Sequence, residues 1–370
     1  MAAQTAPGPQ LFSASYSLAR QRLLQAAAAR GLSVETHPHP SPGLQGEALA
    51  LDVVRDGPLD ARKVLLLTSA VHGVEGHCGS GVQLGLLTLR AGLQAQAGPD
   101  VAIVHVHAVN PYGFSHGRRV THENVDLNRN FVDFAKPLPV DSATHRDYAQ
   151  VHPLLLPATW PPSADNEARL DALRQGWGPR RYQLAVTAGQ HTHADGVFYG
   201  GIGPTWSNRI FRDVLRRQAA AASRLAWIDL HTGLGLYGVG ERIFACVDGG
   251  VTLDRAKRWW GERITSVQTG TSTSIPMTGP IQMAVDDECP HVEYTGICLE
   301  FGTEPAPAMH AALRAEHWLH VHPDAPDAVA NPIRQRLRDV FYPDRDDWKE
   351  AIWAQALEAS EQAVKGLCEP

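Results

Sequence analysis

Lys63–Gly76, KVLLLTSAVHGVEG, is the stretch on which the fold turns. Val64–Val71 is a short apolar run of the length and β-branched character of a buried strand, and it stops at His72-Gly73-Val74-Glu75-Gly76. A helix-like segment, Ser80–Leu93, follows. Strand, glycine-flanked loop, helix is the unit of a parallel sheet. A His and a Glu three apart on such a loop can turn toward one point, and both suit Zn²⁺, whose catalytic sites take three protein ligands and leave a place for water. By itself the pair fits a polar surface loop better than a metal site, so its meaning depends on what the rest of the chain brings.

Outward from this stretch the chain reads as alternating strands and helices. Leu11–Gly31 is a predicted helix closed by glycine, and residues 1–10 a loose tail. Leu32–His37 and Ala48–Val54 form a predicted antiparallel edge. Val101–Val109, Leu225–Leu230, Arg242–Val247 and Thr295–Phe301 are further strands. Helices are expected at 206–222, 252–264, 305–320, 326–340 and 345–366, and a turn at Asn110–Phe114. The Pro- and Trp-rich stretch 132–181 reads as an irregular insertion with one short helix near Ala164–Gln175, and Thr265–Glu288 as a loop over a site. The expected fold is therefore α/β: a mixed, mostly parallel sheet with helices on both faces, in one domain spanning 1–370.

Composition bounds the function. At 370 residues, 44% hydrophobic and 19% charged, the chain is globular, and a net charge of −6 argues against a nucleic-acid partner. Five scattered cysteines without a CxxC pattern suggest reduced thiols. With no basic-then-apolar leader and no apolar run of membrane-spanning length, a cytoplasmic protein without membrane association is expected. Oligomeric state is not legible.

In a parallel sheet, ligands bind beyond the carboxyl ends of the strands. Four polar clusters fall there: His72/Glu75, Arg118/Arg119 with Asn128/Arg129, Asp229/His231, and Glu300. His231 is the natural third metal ligand, though a lone histidine is often a satisfied core residue. Asp229, two residues back on the same strand face, either accepts the free N–H of a ligating histidine or caps the loop. Glu300 lies in a very apolar strand, where a carboxylate is costly unless it is paired or belongs to a site; beside a metal it suits proton transfer, otherwise a salt bridge. The arginines suit bidentate carboxylate recognition, and Arg119 suits oxyanion stabilisation. The alternative is a solvated charge network with Asp126 and Asp133. His191 and His193 fit a substrate- or backbone-contacting loop better than a second metal site, and His105 and His107 fit packing within a buried strand.

HGVEG, NVDLNRNF, DLHTG and LEFGT, in this order over 65–303, resemble the M14-type zinc carboxypeptidase superfamily with its funnelin fold. With GQHTHADGVFYGG at 189–201 they are most similar to a bacterial M14-like branch (DUF2817-like). The resemblance implies one Zn²⁺ held by His72, Glu75 and His231. It makes Glu300 the general base, Arg119 the oxyanion donor, and Asn128 and Arg129 the carboxylate anchor. The short spacing between Arg119 and Asn128 is similar instead to the succinylglutamate desuccinylase/aspartoacylase deacylases. None of Tyr199, Tyr237 and Tyr294 stands out as the tyrosine that lines the carboxypeptidase site. The expected activity is carboxypeptidase-like cleavage of an amide next to a free carboxylate in a small peptide. The alternatives are a deacylase of N-acyl amino acids and a non-catalytic module binding peptide carboxylates.

Overall fold

The structure, a computed structural model, describes residues 8–89, 92–246 and 250–369. Stretches of five to ten residues, apolar at the centre of the sheet and polar at its edges, fold into seven strands: β1 (Val34–Pro38), β2 (Ala50–Asp56), β3 (Lys63–Thr68), β4 (Val101–His107), β5 (Arg224–Gly233), β6 (Gly240–Phe244) and β7 (Glu293–Gly302), in the order β1-β2-β4-β3-β5-β7-β6. The four central strands β4, β3, β5 and β7 run parallel. They are flanked by antiparallel strands on both sides, β1 and β2 at one edge and β6 at the other.

Alternation along β3 explains the layers. Leu65 and Leu67 face a cluster with Val82 and Leu86 of helix Gly76–Thr88 and with Trp348, Ile352 and Trp353 of helix Asp346–Leu367. Val64 and Leu66 face the other way, onto Phe211, Val214 and Leu215 of helix Trp206–Gln218. Both faces are covered, so β3 and β4 are buried almost throughout, as parallel strands must be.

Three expectations are corrected. Stretch 132–181 is not irregular: it holds helices Ala143–Leu155 and Ala164–Thr187, each started by a serine (Ser142, Ser163) whose side chain accepts a backbone N–H. The prolines mislead because Pro153 sits near the end of the first helix and Pro179 follows a break at Gly178 (φ 76°) in the second. These helices bury Tyr148, Val151 and Val186 against Leu313 and Phe341. Asn110–Phe114, read as a turn, begins a short helix, Pro111–His116, capped by the Asn110 side chain. The loop from Thr265 ends in a helix, Met283–Glu288. Residues 1–7 of the expected tail and Val247 of the expected strand lie outside the described residues. Among the described residues, no helix is long and apolar enough to cross a membrane.

Candidate metal centre

β3 ends at Thr68, and the chain turns through Val71 to deliver His72 and the 3₁₀ turn Gly73–Glu75. Two backbone hydrogen bonds pin this turn: Gly73 N–H to Arg119 O at 3.0 Å and Val74 N–H to Arg118 O at 2.8 Å. β5 lies beside β3 and carries Asp229 and His231 on one face. The two strand ends thereby bring His72, Glu75 and His231 together, all buried.

Nδ1 of His72 lies 3.2 Å from Nδ1 of His231; Glu75 Oε1 stands 2.9 Å from the first and Glu75 Oε2 2.9 Å from the second. Tetrahedral ligands at zinc distances are about 3.3 Å apart. Two imidazole nitrogens and a carboxylate at these spacings fit a small divalent cation such as zinc. The outer nitrogens are engaged as well. Nε2 of His231 lies 2.8 Å from Asp229 Oδ2, an acceptor for its proton that would free Nδ1 for a metal, and Nε2 of His72 lies 3.2 Å from Asp126 Oδ1 and 2.8 Å from Arg119 Nη2. Asp229 is fixed in turn by Thr68 Oγ1 (2.5 Å) and Gln282 Nε2 (2.9 Å). Glu75 also accepts from Thr232 N–H at 3.1 Å.

The electrostatics follow from this packing. Although burial opposes ionisation, His72 and His231 hold Glu75 well below the usual carboxylate range. Burial works against a charged His231 too, but Asp229 and Glu75 raise its pKa well above normal. Asp126 is buried, yet Arg119, His72 and Arg129 keep it strongly acidic.

Glu300 stands opposite His231 in the β5–β7 register, its Oε1 accepting from Leu234 N–H at 2.9 Å. Burial, then the charge of Glu75, pushes its pKa up to about 7. Arg119 reaches Glu75 Oε1 (3.0 Å), Asp126 Oδ2 (3.1 Å) and Nε2 of His72 (2.8 Å). Asn128 Oδ1 accepts from Ile281 N–H at 3.0 Å. Arg129 is buried with its Nε and Nη2 on Thr187 O and its Nη1 on Asn128 O and Met277 Sδ. Burial lowers its pKa to about 10, so it stays cationic at neutral pH. His72, Glu75, Arg119, Asn128, Arg129, His231 and Glu300 line one cavity of about 770 Å³.

Arg118 does not join them. It is buried against Glu316 and donates to Asn124 Oδ1 at 2.9 Å, away from the cavity. No tyrosine lines the cavity among the described residues; Tyr237 is exposed beside Asp347, Tyr294 is tied to Ala245 O, and Tyr199 lies elsewhere. His191 is bound to Gly201 O at 2.6 Å and His193 to Thr192. On β4, His107 is bonded to Ser80 at 2.9 Å, while His105 Nδ1 is buried without a partner among the described residues. Asp126, expected in a solvated charge network with Asp133, is instead fully buried and accepts from Asn128 N–H, capping the 3₁₀ turn Leu127–Arg129 inside NVDLNRNF.

An α/β sheet with a His-Glu-His donor set beyond the carboxyl ends of its parallel strands defines a candidate mononuclear metal protein. Residues 12–355 match the family described as "Protein of unknown function (DUF2817)", and the chain belongs to it. No curated protein matches the chain. Among solved structures it is similar to bovine thrombin-activatable fibrinolysis inhibitor in complex with tick carboxypeptidase inhibitor, at 11% identity and a TM-score of 0.49, over 96% of this chain and 97% of that one. It is similar to carboxypeptidase A from Helicoverpa armigera at 12% identity and a TM-score of 0.43, over 85% and 73%. For murein-tripeptide amidase MpaA from Escherichia coli O157 the values are 16% and 0.34, over 82% and 92%.

Proposed function

We propose that this protein is a zinc-dependent hydrolase that cleaves an amide bond next to a free carboxylate. The observation that carries the reading is the convergence of His72 Nδ1, His231 Nδ1 and Glu75 at 2.9–3.2 Å, with Glu300 facing the same cavity from the adjacent strand. A zinc ion held by these three side chains would polarise the scissile carbonyl and acidify a water. Glu300, held near a neutral pKa by its site, takes a proton from the attacking water and passes it to the leaving nitrogen. Arg119 donates to the developing oxyanion. Asn128 has its oxygen engaged by Ile281 and so offers its amide N–H groups to a carboxylate, while the buried charge of Arg129 attracts it. Because most Arg129 donors are already spent on backbone oxygens, the anchor relies on Asn128 more than on a guanidinium fork.

The spacing of Arg119 and Asn128 favours a second reading on the same residues, a deacylase of N-acyl amino acids. One set of measurements tests both. Elemental analysis of wild type should find about one zinc per chain, lost in His72→Ala. Wild type should cleave C-terminally free dipeptides or N-acyl amino acids, and Glu300→Gln should abolish turnover while keeping the zinc. A metal-free, inactive wild type not restored by zinc would sink the hydrolase reading in favour of a carboxylate-binding module.

A further inference from the structure

Between helix Val251–Trp260 and helix Met283–Glu288 the chain crosses the cavity, where Thr273, Ser274, Ile275, Pro276 and Met277 form part of one wall. Both ends of the crossing are fixed. At the start, Thr265 N–H bonds to Arg242 O at 3.1 Å and Phe244 N–H to Thr265 O at 2.8 Å. At the far end, Thr278 N–H bonds to Ala188 O and Phe131 N–H to Gly279 O, each at 3.0 Å, and Ile281 N–H meets Asn128. The first half of the span between is tied to itself, Ser266 N–H to Thr271 Oγ1 at 3.0 Å and Thr271 N–H to Ser266 O at 3.1 Å. The second half, Ser272–Met277, is held to the rest of the protein at two residues among the described ones. Met277 Sδ accepts from Arg129 Nη1 at 3.1 Å. Thr273 bonds to Glu241, its N–H donating to Oε1 at 3.1 Å and its hydroxyl to Oε2.

The Thr265 hydroxyl also donates to Oε1 of Glu241, so one carboxylate joins the fixed start of the span to the middle of its crossing. That carboxylate is costly where it stands. Glu241 pairs with Glu300 in the antiparallel β6–β7 register, on the same face of the sheet, and like charges directly opposite each other destabilise a strand pair. Its hydrogen-bond partners among the described residues are all neutral, two hydroxyls and one amide. What it holds accounts for its place. The span it fastens reaches Arg129 through Met277 and Asn128 through Ile281, the two residues that take the substrate carboxylate in the reading above. A carboxylate bound there is enclosed by the span, so closure of the span and binding favour each other.

We propose that Glu241 is a positioning residue: by latching Thr273 it keeps the span 267–277 closed over the leaving side of the cavity, and so sets the affinity for substrate more than the rate of chemistry. The effect on substrate rests on the amide-hydrolase reading above; the latch itself does not.

Limited proteolysis with subtilisin, with the cut sites mapped by mass spectrometry, reads the latch without any assay of activity. Glu241→Leu should be cut within 267–277 about tenfold faster than wild type, the scale of one hydrogen bond to a charged group. Glu241→Gln, whose amide oxygen still accepts from Thr273, should be cut at close to the wild-type rate. Kinetics then read the effect on substrate, using the dipeptide or N-acyl amino acid that wild type cleaves fastest. Glu241→Leu should raise KM about tenfold with little change in kcat, the signature of lost uniform binding, and Glu241→Gln should recover most of it. Equal cutting of wild type and Glu241→Leu within 267–277 overturns the latch, whatever the activity. An unchanged KM in an active Glu241→Leu that is cut faster overturns the positioning role alone. A zinc-loaded wild type that cleaves no substrate overturns the hydrolase reading and the positioning role with it, while the proteolysis still decides the latch. Should Glu241→Leu fail to fold, Thr273→Val, which removes one of the bonds at an exposed residue, should change both readouts in the same direction by less.

Discussion

Arg118 and Arg119 are the same residue type, adjacent in the chain, and they do different work. Arg118 is enclosed with Glu316, so removing its charge leaves a buried carboxylate without its cation. Arg118→Met is expected to cost about 3–5 kcal/mol in urea unfolding, and Arg118→Met/Glu316→Leu to regain much of that, since a buried pair replaced by apolar groups is often close to neutral. Arg119→Met should instead lower kcat about 10²–10³-fold with a smaller loss of stability. A double variant no more stable than Arg118→Met would show that the pair is not the source of the cost. The identity of the pair was legible in the sequence, but its division of labour was not. Which arginine faces the cavity depends on the orientation of a segment that is neither helix nor strand, and periodicity says nothing there. Asp126 escaped for a related reason: it lies in a loop whose burial comes from distant elements.

At the scale of elements, the ends of β3, β5 and β7 were legible because each is an apolar run that breaks at a polar residue, and a parallel sheet gathers such ends at one edge. Hence His72, Glu75, His231 and Glu300 could be assembled without coordinates. The helices of 143–187 were not legible, because their proline and tryptophan content outweighs, in a reading by composition, serine caps and apolar stripes that become meaningful only once Leu313 and Phe341 are present to cover them. Nor was the close packing of the turn that carries His72 and Glu75. A Cβ on Gly73 would lie 2.0 Å from the Gly113 carbonyl carbon, backbone against backbone, with no flexible side chain to yield. Gly73→Ala must therefore move the segment that holds both His72 and Glu75. The expected outcome is loss of bound zinc, measured by elemental analysis, together with a lowered melting temperature. Full zinc occupancy in Gly73→Ala would mean that the turn can shift without disturbing its ligands.

Across the whole molecule the histidines govern the response to acid. His77, His105, His107 and His317 are buried, and burial above all pushes their pKa values down to about 4, 3, 4 and 4. In the unfolded chain each titrates near 6.5. A histidine whose folded pKa is depressed contributes stability that is fully present above the unfolded value and is lost as pH falls toward the folded one. Glu300, raised from 4.5 to about 7, acts oppositely: its contribution is present below 4.5 and lost as pH rises through 7. Between about pH 6 and pH 4.5, unfolding therefore takes up four protons at these histidines and releases one at Glu300. The slope corresponds to a fall of about 4 kcal/mol per pH unit in the metal-free protein. Few domains have the reserve to withstand that. The chelated protein should accordingly unfold cooperatively well above the pH at which its strongly acidic carboxylates, Asp126 and Glu75, take up protons. His105→Leu should flatten the slope by about one proton, read as the pH dependence of the urea midpoint. A midpoint that stays level from pH 7 to pH 5 would mean that these rings find hydrogen-bonding partners for their charged forms without unfolding, which for His105 would require the β2–β4 pairing around it to open.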